Sequence, residues 1–179
     1  TGGNESYGVL NESSSPSMNN VTATATGAAD ANFGVFNVNS SSPSMNNVTA
    51  TATGGNESYG VLNESSSPSM TNVTATATGG ATAVYSYGVS NVSSSSPSMT
   101  NVTATATGST ILNWGVYNLS SSPAIRNSSI SGTDNSIYNS GTSLVKVADT
   151  ALDGAVFGTG FTCVGVYDTA FAPLGASCV

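Results

Sequence analysis

The stretch that most constrains this chain is VTATATG, which occupies Val21–Gly27 and returns unchanged at Val48–Gly54, Val73–Gly79 and Val102–Gly108. The starts lie 27, 25 and 29 residues apart, a period that belongs to solenoids and related repeat folds. Thr53–Met70 copies Thr1–Met18 residue for residue. An aromatic–Gly–Val triplet begins at Tyr7, Phe33, Tyr59, Tyr87 and Trp114, and an Asn stands two places after each Val, at Asn11, Asn37, Asn63, Asn91 and Asn118. A Ser-rich bend then leads to Pro16, Pro43, Pro68, Pro97 or Pro123. Two residues on comes Met18, Met45, Met70, Met99 or Ile125, and two beyond that Asn20, Asn47, Asn72, Asn101 or Asn127.

Comparing copies within the chain separates the faces of each strand. After the Gly the first position is always Val, whereas the next is Leu10, Phe36, Leu62, Ser90 or Tyr117. Alternate residues of a strand share a face, so the Val and the aromatic two before it are expected inward and the variable residue outward. Met18 is expected inward by the same test and Asn19 outward. In VTATATG, Val21, Ala23 and Ala25 form one face and the threonines the other, and the apolar face is expected to be the core.

Each copy thus holds about three short strands, YGVLN, PSMNN and VTATA, separated by Asn, Gly, Ser and Pro at the bends. Three strands per 25–29-residue period predict an all-β solenoid, a right-handed parallel β-helix with like residues stacked about 4.8 Å apart. A propeller would need four antiparallel strands in a longer period. The two Asn columns are expected at corners, with side-chain amides bonded from coil to coil. Residues 1–140 form the expected repeat array. The remainder, 141–179, departs from the pattern and is expected to cap the open sheet edge. The first coil opens in mid-repeat without such a cap, so either upstream coils or a second copy stacked head to tail is expected there.

Cys163 and Cys178 are the only cysteines. One local disulfide within the cap is the expected reading, against a reduced pair or half of a metal site; the chain has no His and no further Cys to complete one. A disulfide favours an extracellular or cell-surface location. Charged residues are 6% of the chain, against roughly 25% in ordinary soluble domains. Arg126 and Lys146 face nine acids, for a net charge of −7. Such a chain has no basic face for nucleic acid, and no apolar run is long enough to insert in a membrane.

The run SSSPSMTNVTATATGG with its YGV-x-N motif, followed by the tail CVGVYDTAFAPLGASC, resembles the β-helix repeat proteins of bacterial surfaces, which have a pectin-lyase-like fold. The resemblance covers nearly the whole chain. It implies a secreted or surface-attached protein without assigned activity. Enzymes of that fold include polysaccharide lyases with an Arg or Lys base and Asp-bound calcium, but neither Arg126 nor Lys146 sits in a recognisable acidic cluster. Asp149 and Asp153 are close in sequence without a mark of burial. Glu5 and Glu57, like Glu12 and Glu64, are two coils apart. No phosphate loop, Ser-His-Asp set or metal-ligand spacing is present. A carbohydrate-active enzyme is therefore the last reading. No catalytic residue, cofactor or metal is expected.

The candidate interaction face is the threonine array: Thr22, Thr24 and Thr26; Thr49, Thr51 and Thr53; Thr74, Thr76 and Thr78; Thr103, Thr105 and Thr107. Stacked, it forms a lattice three across and four high, similar to the TxT faces of ice-binding β-solenoids. Threonine also simply suits strands. The leading expectation is a non-enzymatic structural protein: a rigid surface stalk, an adhesin module or a head-to-tail fibre subunit. Ice binding through the threonine face is the alternative. The candidate partners are a second copy of the chain, a surface polysaccharide, or ice.

Overall fold

The computed structural model describes residues 3–179 and contains strands and turns, with no helix among the described residues. The strands are β1 (Glu5–Glu12), β2 (Ser17–Asn19), β3 (Thr22–Thr26), β4 (Ala31–Val38), β5 (Ser44–Thr53), β6 (Glu57–Glu64), β7 (Ser69–Thr78), β8 (Tyr85–Val92) and β9 (Ser98–Thr100), then β10 (Thr103–Thr107), β11 (Leu112–Leu119), β12 (Ala124–Arg126), β13 (Ser129–Ser140), β14 (Val145–Ala148), β15 (Ala151–Gly158), β16 (Phe161–Val164) and β17 (Tyr167–Asp168). They wind into a parallel β-solenoid of about six turns.

Three stacks of strands run along the axis. The first joins β1, β4, β6, β8, β11 and the later halves of β13 and β15. The second joins β2, the starts of β5 and β7, then β9, β12, β14 and β16. The third joins β3, the ends of β5 and β7, β10, the first halves of β13 and β15, and β17. Like pairs with like throughout: Val35 with Val61, Met45 with Met70, Ala50 with Ala75. The coil length is 25–29 residues from the first copy of the repeat to the fifth. It falls to 21 and 22 beyond Trp114, where β13 turns from the third stack into the first without the loop that earlier coils carry. Segment 141–179 therefore does two things. Its strands β14–β17 continue the stacks, and its last residues close them.

The core is a column of small and flexible apolar side chains. Val35, Val61, Val89 and Val116 line the first stack, Met18, Met45, Met70, Met99 and Ile125 the second, and Ala23, Ala50, Ala75 and Ala104 the third. The second column ends in Val147 and Cys163. Cys163 is bonded to Cys178, so the disulfide occupies the place of a final inward side chain. The tail also takes up backbone groups of the last coil, with Cys163 N–H donating to Ala176 C=O and Leu174 N–H to Val166 C=O.

Both expected asparagine ladders are present and run in opposite senses. The inner one is buried: Nδ2 of Asn11, Asn37, Asn63 and Asn91 donates to Oδ1 of Asn37, Asn63, Asn91 and Asn118 at 2.8–2.9 Å. The next rung is missing. Asn139 is the register partner of Asn118, yet its Nδ2 donates to the carbonyls of Ser143 and Thr159. Asn118 Nδ2 and Asn139 Oδ1 are consequently buried without partners. The outer ladder is exposed, with Asn47, Asn72 and Asn101 each donating back to the preceding coil at 3.0–3.2 Å. Its residues have φ near +50°, the left-handed conformation that Asn tolerates better than other side chains. That conformation turns the chain from the second stack to the third. Along the Ser-rich bend, Ser15, Ser42, Ser67, Ser96 and Ser122 each accept the backbone N–H of the following coil.

One expectation about the first stack is corrected. Strict alternation would put the aromatic of each triplet in the core with its Val. Instead Phe33 and Tyr59 join an external cluster with Phe36 and Leu62, separate from the core that holds Val35 and Val61. The reason lies in the glycine. A Cβ on Gly34 would stand 2.7 Å from Thr51 N and 2.9 Å from Ala50 C, backbone atoms of the third stack. Gly and Val both face inward, the alternation slips by one, and the aromatic turns out.

Removal of the disulfide has a local expected result. Cys163→Ala/Cys178→Ala should destabilise the C-terminal coil by about 2–4 kcal/mol. Neighbouring-coil contacts dominate in a solenoid, so amide exchange should rise in β16 and β17 while Val61 and Val89 keep their protection.

Candidate interaction surface

The twelve threonines come together as expected. Thr22, Thr49, Thr74 and Thr103 form one column, Thr24, Thr51, Thr76 and Thr105 the next, and Thr26, Thr53, Thr78 and Thr107 the third. All face away from the core; Thr51, Thr76, Thr78 and Thr105 are half-covered by their neighbours and the others are exposed. Ser129 and Ser131 extend two columns by one coil. Hydroxyl and methyl groups thus repeat at about 4.8 Å along the axis and 6.8 Å along each strand. No charged residue interrupts the array. Packing of alanine against the glycine-containing first stack fixes the backbone beneath it.

A second surface was hidden by the slipped alternation. Rings stack along the outside of the first stack: Tyr7 on Phe33, Phe33 on Tyr59 and Tyr59 on Tyr87, with centroids 4.7–5.1 Å apart. The row continues through Trp114, Tyr117 and Tyr138 to Phe157. Phe33 is 6% exposed while Tyr7, with a ring on one side only, is 37% exposed. The row is thus an external seam that largely buries itself. Signals for it were available in the variable position, where Phe36 and Tyr117 are too apolar for isolated surface residues.

Burial raises the hydroxyls of Tyr7, Tyr59, Tyr87 and Tyr117 in this row. Tyr7 is pushed up to about 12, first by burial and then by donating its proton to the Glu5 carboxylate. Tyr59 is raised by burial and then by its hydrogen bond to Glu57, and Tyr87 by burial and then by the Glu57 charge. Because the folded chain holds these protons above the free tyrosine value near 10, the unfolded chain releases them first as pH rises. Stability should therefore stay level below about pH 10 and fall above it. Urea midpoints measured from pH 8 upward test this, and Tyr59→Phe should flatten the alkaline fall.

The remaining candidate groups are dispersed. Glu5 and Glu57 each pair in register with Ala31, which stands between them, and Glu12 stands beside Val38. Asp149 lies at a corner and Asp153 on β15, where it accepts from Ser131 Oγ at 2.9 Å. No group of three or more His, Cys, Asp or Glu among the described residues could hold a metal ion. No helix among them is long and apolar enough to cross a membrane. The Cys163–Cys178 bond fits an oxidising, non-cytosolic setting. Neither a scan against protein-family models nor a search of curated proteins gave a match.

Proposed function

We propose that the chain is a non-enzymatic structural module of an extracellular surface, a rigid spacer or adhesin segment of the kind that the surface β-helix repeat proteins suggest. The observation that carries this reading is the set of three parallel stacks in like-on-like register, tied at the C-terminal end by a disulfide. Such a body is stiff because each coil is bonded to its neighbours by backbone ladders, asparagine rows and serine rungs. The use of the last coil's backbone groups by the tail favours a terminated module over an open fibre, since a stacked copy would need those same groups.

Microscopy and sedimentation of the concentrated protein test the choice. Monodisperse, protease-resistant particles are expected; axial filaments would replace the module with a fibre subunit. Release of reducing ends from a polysaccharide panel would overturn the non-enzymatic reading altogether.

The register of the threonine columns favours ice as a second reading. A flat, uncharged lattice of hydroxyls and methyls can hold water in an ice-like layer. Thermal hysteresis that disappears in Thr51→Tyr and Thr76→Tyr supports it, and an unaltered freezing point in the parent protein rejects it.

A further inference from the structure

The chain has two cations, and the fold puts them side by side. Lys146 on β14 pairs in register with Ala124 on β12, and Arg126 on β12 pairs with Ala148 on β14. All four face outward on the second stack, so cations and alanines form a two-by-two checkerboard with the cations on one diagonal. Diagonal neighbours in a sheet stand about 7–8 Å apart. The alanines leave room between them: a notch of about 140 Å³ is lined by Ala124, Arg126, Lys146, Ala148, Thr162 and Val164.

Three observations mark this notch as a site. First, both cations depart from the repeat. The earlier coils hold Ser17, Ser44, Ser69 and Ser98 in the Lys146 column and Asn19, Asn46, Thr71 and Thr100 in the Arg126 column. Second, although acids outnumber cations nine to two, no carboxylate among the described residues lies within 4.0 Å of either cation. The nearest acid in sequence, Asp149, sits around the corner beneath Gly165, where a Cβ would stand 2.4 Å from its Oδ1. Third, Thr162 supplies a hydroxyl at the rim. A guanidinium that offers a planar fork and an ammonium on its diagonal suit one oxyanion, with the Thr162 hydroxyl beside the ammonium on the side away from Arg126.

We propose that this notch binds a single oxyanion group, a carboxylate or sulfate, carried on an extracellular polymer. Arg126 engages two of its oxygens and Lys146 a third position or the remaining charge. Two cations are too few to follow a nucleic-acid backbone, which requires a row of them. The site stands apart from the structural reading above, since a spacer with or without a ligand has the same coils.

The test uses the full chain and variants that restore the repeat's own residues, Arg126→Thr and Lys146→Ser. Binding to immobilised dextran sulfate, hyaluronate and uncharged dextran is measured at low ionic strength and again at about 0.5 M salt, where screening is short-ranged. The parent is expected to bind at least one anionic polymer, to ignore dextran and to release at high salt. Each substitution should weaken binding about tenfold and the pair should abolish it, with the thermal midpoint unchanged. Retention on dextran sulfate alone assigns a sulfate, and on hyaluronate alone a carboxylate. Binding to neither anionic polymer, or binding that survives both substitutions, overturns the proposal.

Discussion

Gly60→Ala should destabilise the protein by about 3 kcal/mol or more, at the upper end of what overpacking costs. The added Cβ would stand 2.5 Å from Gly88 O, 2.8 Å from Ala75 C and 2.8 Å from Thr76 N. All three are backbone atoms of strands held on both sides, so no side chain can swing away. Relief would require the first and third stacks to separate in at least two coils. Gly27→Ala provides the contrast. Gly27 has φ +81°, and a Cβ added there would meet nothing within 4 Å, so its cost is the left-handed backbone alone, about 1–2 kcal/mol. Urea denaturation at unchanged slope measures both. Equal losses would mean that close packing of the two stacks does not limit stability.

Asn63→Ala is the second large loss, expected at about 2–5 kcal/mol. Its amide accepts from Asn37 Nδ2 and donates to Asn91 Oδ1, both at 2.9 Å, in a row closed to solvent. Alanine would orphan a donor on one side and an acceptor on the other, each costing about 1–3 kcal/mol when buried. Asn72→Gly removes two equivalent bonds from the outer ladder. Water replaces them there, and glycine keeps the φ of +52°, so the loss should stay below about 1 kcal/mol. A loss as large for Asn72 as for Asn63 would show that burial is not what gives the inner row its weight.

Much of this fold was legible because the chain repeats itself. Copies within one sequence act as their own comparison, and they placed Met18, Val21, Ala23 and Ala25 inward and the threonines outward as found. The ladders followed from Asn recurring at a fixed distance in a parallel stack. The aromatic row was misplaced because alternation assumes a regular strand, and the backbone contact at Gly34 that breaks it is a tertiary event with no local signature. The diagonal placement of Arg126 beside Lys146 escaped for a related reason. They fall on adjacent coils only because the coil from Ala124 to Lys146 is shortened by the loss of a loop beyond Trp114, and nothing in the first four copies announces that change. The threonine face was legible as geometry, while its ligand depends on a match to something outside the chain.

The missing rung between Asn118 and Asn139 has a consequence for how the molecule opens. The inner amides are aligned head to tail, so their dipoles add along the row and leave a buried positive pole on Asn118 Nδ2. The acceptor that should neutralise it, Asn139 Oδ1, is itself without a partner, and one coil further on β13 and β15 lose register at Asn135. The break in the amide row thus lies between β11 and β13, and the break in register lies at the next interface, between β13 and β15. The coil of β13 is bounded by both breaks and stands between a long uniform stretch and a short disulfide-bonded one. Local unfolding follows the weakest boundary, so the last turns should detach at these breaks before any of the earlier coils come apart.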